Sequence, residues 1–398
     1  MAVRNYEKKL AKEAKGNPKA FYKYVNSKTK SRVGILTLVS ADGKSAECCI
    51  DKEVTLNKYF SIVFTKETTD NLPDFAPRVF DAALVDMSFD EDTIEKKLNG
   101  LKIGKSPGPD QIHTRLLKEM TPILKLLLQK FFKKCMSSSK IRDAWRLGHI
   151  MPIFKKGKKS DPANYRPVGL ISVLCKVMES LVRQAVMAHL DRNSLLSEHQ
   201  HGFMAGRTCS TQLLEVLDIG HVSSRKEVNV IYLDFAKAFN TVPHCFLMFK
   251  LHRYSVVSKI WDLIRYFLAN RKRCVSVNGD ISVYENVTSG IPQRNELGLL
   301  LFLVYINDLP DEVLRLIKLF ADDTKLFARV RTLQDCIDLQ SDLTAFRLWS
   351  NKWLLQFNTA KCKVLRLGSG SSPCTLCFLG TVLCVSWKSR NVKGTWES

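Results

Sequence analysis

Apolar residues fill almost every position from Val228 to Leu233, and the run ends on Asp234. A short run without alternation predicts a strand buried on both faces, and the end of such a strand is where α/β sites gather. At 319–327 the text LFADDTKLF sets Asp322 and Asp323 between two apolar stretches: Leu316, Ile317 and Leu319 before, Leu326, Phe327 and Ala328 after. That spacing predicts two strands joined by a hairpin. Neighbours in an extended strand point to opposite faces, so both acids can share one side only from within the turn. Elsewhere the period is helical. Asp90 is placed as the N-cap of a helix with Ile94, Leu98 and Leu101 on one face, ended by Gly104 and Pro107. Pro122 to Met136 predicts a helix with Leu124, Leu127, Leu128, Phe131 and Phe132 inward, and Leu174 to Leu190 another. The longest apolar run, Leu297 to Ile306, is a core element, short of the roughly 18 residues of a membrane span.

Three carboxylates at strand ends change the picture from fold to chemistry. An Asp-Asp pair in a hairpin is most often a solvated turn, because Asp suits turn geometry. Gathered with a third acid, it becomes a set of hard oxygen ligands for divalent cations, as phosphoryl transfer needs. Charge points the same way. With Lys+Arg 61 against Asp+Glu 39, a net +22, the chain is drawn to phosphate backbones. Lys155, Lys156, Lys158, Lys159 and Arg166 crowd one segment; Arg271 to Arg273 read equally as a solvated face or a phosphate contact. The 398 residues, 45% hydrophobic, suffice for a sizeable core in two or three subdomains. The N-terminal text lacks an apolar signal region, which with the absence of a spanning segment implies an intracellular protein, nuclear or cytoplasmic. The twelve cysteines read as free thiols. Cys374 and Cys377 with Cys384 invite a zinc reading, but no His completes the set. Gly104-Lys105-Ser106 fails as a P-loop, since position 99 is Asn and a proline turn follows.

Longer text surrounds these acids. YLDFAKAFNTVPH at 232–244, SGIPQ at 289–293, LLLFLVYINDLP at 299–310 and FADD at 320–323 resemble, in order, motifs of the reverse transcriptases of non-LTR (LINE-type) retrotransposons, the jockey-like group in particular. GKSPGPDQI at 104–112 and the stretch at 152–180 resemble finger motifs of the same family, and Asn358-Thr359-Ala360-Lys361 its next palm motif. The resemblance covers roughly residues 90 to 368. It implies an α+β fold: right-hand polymerase fingers and palm, with an antiparallel palm sheet packed on helices. The implied organisation is a basic leader over 1–85, a reverse transcriptase domain over 86–368 (fingers about 86–225, palm about 226–368), and a divergent tail over 369–398 as thumb remnant.

The resemblance also implies an activity: RNA-directed DNA polymerisation, with an RNA template, a DNA primer and deoxynucleoside triphosphates as partners. Asp234 and Asp322 would hold two Mg²⁺ (or Mn²⁺) ions, with Asp323 completing the negative well. Lys361 matches a lysine near the pyrophosphate that acts as general acid, against the alternative of a solvated surface lysine. Phe239 matches the residue that crowds the sugar 2′ carbon, against a core aromatic. Gln293 matches a contact to the incoming nucleotide, Arg166 a triphosphate contact, and Lys156 its companion. The text departs from the pattern at Arg294, where the family has Gly, and at Asn240, Gly169 and Ser255. No upstream endonuclease and little thumb are recognisable, so a truncated copy is expected. Two readings follow: an active polymerase, or a catalytically silent nucleic-acid-binding remnant, which Arg294 and the short thumb would favour.

Overall fold

The computed structural model describes residues 6–7, 10–11, 24, 35–40, 42–67, 72–75, 82–212, 214–215, 228–292, 295–367, 376–378, 380–382 and 385–387. The chain divides into two compact units, one of residues 1–59, 151–167 and 275–283, the other of 60–150, 168–274 and 284–398.

In the first unit, β1 (Leu38–Val39) pairs with β2 (Ser45–Ala46) and leads into α1 (Cys49–Ser61). The helix uses polar residues as anchors. Buried Glu53 accepts the Val277 N–H at 3.2 Å, and Asn57 donates to Ser282 Oγ and the Val283 carbonyl, both at 3.0 Å. Burial pushes the Glu53 carboxyl above its usual range. Strands β3 (Leu147–Phe154), β4 (Tyr165–Leu170) and β6 (Lys272–Val277) each run from one unit's range into the other's; β6 pairs with β7 (Asp280–Ile281) in the first unit and with β8 (Glu285–Asn286) in the second. Arg271, just before β6, and Lys272 and Arg273 at its start are not a solvated face. Arg271 and Arg273 are buried and Lys272 is exposed. Arg273 lies over the Phe64 ring at 4.4 Å, and burial lowers its pKa to about 10. Strand alternation turned a sequence run of three charges into two inward and one outward.

The second unit begins with α2 (Glu91–Asn99), α3 (Thr114–Glu119), α4 (Thr121–Ser138) and α5 (Val173–Arg192). Asp90 caps α2 as its sequence foretells, accepting the Thr93 N–H at 2.9 Å. The helix stops earlier than Gly104, because the Gly100 N–H turns back onto Lys96 and Leu98 carbonyls. In α4, Leu128 and Phe132 are buried, but Leu127 is 56% exposed. At 100° per residue the face set by Leu128, Phe132 and Cys135 leaves Leu127 turned away beside Ile123.

The second sheet has the order β12 (Val385–Trp387), β11 (Lys363–Leu367), β5 (Val228–Asp234), β10 (Asp323–Arg329), β9 (Leu316–Phe320). Every neighbour pair is antiparallel except β11 with β12. β5 is central, and its residues Val228 to Ile231 are buried without alternation, as a strand covered on both faces requires. The chain then builds α6 (Ala238–Thr241), α7 (His244–Arg253), α8 (Ser258–Leu268), α9 (Glu296–Ile306) and α10 (Leu333–Lys352). The run Leu297 to Ile306 is α9, buried nearly throughout.

The residues after α9 tie this core together. Asn307 accepts the Ser197 N–H at 2.8 Å and donates to the Leu195 carbonyl at 2.7 Å. Asp308 pairs with Lys250, which is 0% exposed and stands 3.6 Å from the Trp353 ring centroid, with Phe75, Tyr305 and Trp349 around it. Burial pulls the Lys250 pKa down to about 8, against the Asp308 charge that holds it up. The polar letters of the INDLP motif are thus fastenings. None of the described cysteines is bonded to another, and no described helix is long and apolar enough to cross a membrane.

Candidate active site

The acidic centre is built by strand register. Asp234 ends β5 and Asp323 begins β10, and the antiparallel ladder sets them directly opposite each other. Residues so paired share a face with Cβ atoms about 4.5–5.5 Å apart. Phe320 pairs with Asp323, so Ala321 and Asp322 form a two-residue hairpin loop. Ala321 has φ +54°, a left-handed conformation that a residue with a Cβ adopts only under constraint. Partial desolvation, and then the charge of Asp234, push the Asp323 carboxyl above its ordinary range.

Lys361 reaches this centre through a backbone relay. The Ala236 N–H bonds the Gln356 carbonyl at 2.8 Å, and the Asn358 N–H bonds the Asp234 carbonyl at 2.7 Å. The turn that follows sets Lys361 Nζ 2.9 and 3.1 Å from the two Asp234 carboxylate oxygens. Four of the residues singled out in the sequence, Asp234, Asp322, Asp323 and Lys361, therefore belong to one neighbourhood of the second unit.

Phe239 lies in α6, half-buried, and stacks on Phe302 of α9 with ring centroids 4.4 Å apart. The turn that starts at Ser289 packs against the same segment. Ser289 Oγ donates to the Asn240 carbonyl at 2.9 Å, and the Ile291 N–H to the Phe239 carbonyl at 2.8 Å. Gly290 has φ +83°, and a Cβ there would meet the Asn240 carbonyl oxygen at 2.6 Å, so both conformation and close approach demand glycine. Lys156 and Arg166 belong to the first unit. Both are exposed, Lys156 in the loop after β3 and Arg166 on β4. Gln293 and Arg294 lie outside the described residues.

One element escaped the reading of the sequence. The segment His199 to Gly202 runs beside β9 and the hairpin loop: the Leu319 N–H bonds the His199 carbonyl at 2.9 Å, and the His201 N–H the Leu319 carbonyl at 2.8 Å. The signal for it in the sequence is Gly202, where a Cβ would meet the Ala321 nitrogen at 2.3 Å; glycine outside a helix end often marks such an approach.

Carboxylate oxygens are hard ligands suited to a divalent cation. Among the described residues no three His, Cys, Asp or Glu side chains are gathered tightly enough to hold one as they stand. The two facing acids, with Asp323 pushed up by its neighbour, are nonetheless a like-charge pair that a cation would relieve, and the Lys361 ammonium now sits against one of them. The donor set fits a divalent metal.

A family model described as reverse transcriptase (RNA-dependent DNA polymerase) matches residues 154–392. That is more than half of the chain, and the chain belongs to this family. Within it, the relatives are mobile-element enzymes of the LINE type that the motifs resemble. The chain is 30% identical over 266 residues to a probable RNA-directed DNA polymerase from transposon X-element of Drosophila melanogaster, covering 65% of this chain and 29% of the relative. It is 28% identical over 286 residues to the RNA-directed DNA polymerase from mobile element jockey of the same species, covering 69% and 31%. A probable RNA-directed DNA polymerase from transposon BS matches at 25% over 339 residues, covering 81% and 37%. The chain spans about a third of the length of these relatives. Members of this family use divalent metal ions, in keeping with the donor set.

Proposed function

We propose that this chain is an RNA-directed DNA polymerase of a LINE-type retrotransposon, joining deoxynucleotides to a primer 3′ hydroxyl on an RNA template. The observation that carries it is Asp234 facing Asp323 across the β5–β10 ladder, with Lys361 seated on Asp234. The second sheet is then the palm, within a polymerase domain over 86–368 whose fingers occupy about 86–225, after a leader over 1–85 and before a tail over 369–398.

Asp234 and Asp322 would hold two Mg²⁺ ions, with Asp323 deepening the negative field. Bound there, such ions lower the pKa of the primer hydroxyl and neutralise charge on the leaving pyrophosphate. The protein's own part is positional. The hairpin keeps the acids at the open end of the sheet, and Lys361 Nζ, released from Asp234, is placed to give a proton to the departing pyrophosphate. Phe239, braced by Phe302, presents a fixed bulk against a ribose 2′ hydroxyl. Arg166 suits triphosphate oxygens through its guanidinium fork, with Lys156 as companion, and Gln293 would meet the incoming nucleotide. The basic balance fits template and primer backbones. Arg294, on which the catalytically silent alternative rests together with the short thumb, lies outside the described residues.

Primer extension on an RNA template with Mg²⁺ tests this reading. Extension with deoxynucleotides that Asp322→Asn abolishes is expected, as is more ribonucleotide incorporation by Phe239→Ala. No extension by the unsubstituted chain, or extension that survives Asp322→Asn, would contradict it.

A further inference from the structure

The hairpin loop that carries Asp322 poses a local problem. A two-residue loop leaves the Ala321 N–H outside the strand ladder, and a buried backbone N–H without an acceptor costs about as much as a lost hydrogen bond. Ala321 is 4% exposed and has a left-handed φ. Some group must therefore both satisfy this amide and hold the peptide in an orientation it would not choose alone.

That group is the side chain of Gln200, which is 3% exposed. Its Oε1 accepts the Ala321 N–H at 2.9 Å and the Gly202 N–H at 2.7 Å. Two donors at one atom settle which end of the amide faces the hairpin. Nε2 has no partner among the described residues, so the side chain is held by its acceptor alone. The backbone around it is fastened on both sides. Gln200 bridges Leu319 in parallel, and Arg207 Nη1 donates to the Glu198 and Gln200 carbonyls at 2.7 and 2.6 Å. Gly202 closes the contact, since any side chain there would press on the Phe320–Ala321 peptide.

We propose that Gln200 is a positioning residue for the polymerase centre: its Oε1 locks the Phe320–Ala321 peptide in the orientation that sets Asp322 and Asp323 toward Asp234. This rests on the polymerase reading for its consequence but not for its geometry. Without the acceptor, the peptide relaxes toward negative φ and carries Asp322 with it. Gln200 is buried and bonded to the hairpin backbone, so its loss should show in the rate and not in nucleotide binding.

The test compares Gln200→Met, of similar length but without an acceptor, with Gln200→Glu, which keeps one. Gln200→Met is expected to lower kcat of primer extension about 100-fold, the scale of a misplacement near 1 Å, with the nucleotide KM within about threefold. Amide exchange should quicken in the peptide over 316–327 while β5 stays protected, and Gln200→Glu should restore both readouts. Gly202→Ala, which intrudes on the same peptide from the other side, should reproduce the Gln200→Met pattern in a folded protein. Unchanged exchange over 316–327 in Gln200→Met overturns the proposal, as does a Gln200→Glu protein as impaired as Gln200→Met. If the unsubstituted chain extends no primer, the polymerase reading falls, and exchange over 316–327 still decides on Gln200.

Discussion

Two Asp–Lys pairs, each with its acid in a stretch that resembles a reverse transcriptase motif, sit in opposite surroundings. Asp308 and Lys250 are 7% and 0% exposed at their side chains, among four aromatic rings. Asp234 and Lys361 are 28% and 50% exposed at the open end of the sheet. The chemistry is the same and the consequences are not. A pair taken out of water cannot lose one partner without stranding a charge, so the buried pair is a permanent fastening. A pair in water gives little by its own attraction, so Lys361 can leave and a cation can take its place. Burial separates the acid that holds the fold from the acid proposed to hold a cation, and no letter in the motifs distinguishes them.

The largest effect expected from this contrast is at the buried pair. Asp308→Ala leaves Lys250 uncompensated among aromatic rings and should lower unfolding free energy by about 3–5 kcal/mol in a urea titration. A loss under 1 kcal/mol would place Lys250 with the exposed pair. Replacing both partners, Lys250→Met with Asp308→Leu, should recover much of that loss, because apolar residues of like volume avoid the desolvation cost.

Glu179 sharpens the contrast as a buried acid that no cation among the described residues pairs directly. It is 3% exposed, its Oε1 receives the Cys175 thiol at 3.4 Å, and burial pushes its pKa up to about 7, opposed by the charge of Arg271. A folded-state pKa above the ordinary carboxyl value means that the folded protein keeps a proton the unfolded chain has lost. Stability from this group is thus full below about pH 4.5 and falls as pH rises toward 7. Glu179→Gln should remove up to about 3 kcal/mol of that slope between those limits, read as the difference between the two proteins' stability–pH curves. Parallel curves would contradict the buried, protonated assignment. At the exposed pair the effect on stability is smallest: Lys361→Met should change unfolding free energy by less than about 1 kcal/mol.

Much of the site could be read from letters because it is local. The strand into Asp234, the hairpin around Asp322 and Asp323, and the Asp90 cap each depend on residues within a few positions, and the structure forms all three, though it leaves only Asp322 of the two acids in the turn and starts β10 at Asp323, which the ladder sets opposite Asp234. What stayed hidden depends on distant partners. Gln200 meets Ala321 across 121 positions, and its single glycine signal has many other uses. Arg271 and Arg273 turn inward because β6 pairs as it does, and Leu127 turns out because the face of α4 is set by its neighbours. The end of α2 moved to Gly100, whose N–H closes onto the Lys96 and Leu98 carbonyls one turn before the expected stop.

The claim that the exposed pair is an exchangeable cation site is tested most directly by titrating Mn²⁺ into the unsubstituted chain and Asp234→Asn, with bound metal followed by electron paramagnetic resonance. Saturable binding that Asp234→Asn weakens at least tenfold, with unfolding free energy shifted by less than about 1 kcal/mol, is the predicted result. Equal Mn²⁺ binding by the two proteins, or none by the unsubstituted chain, would contradict it.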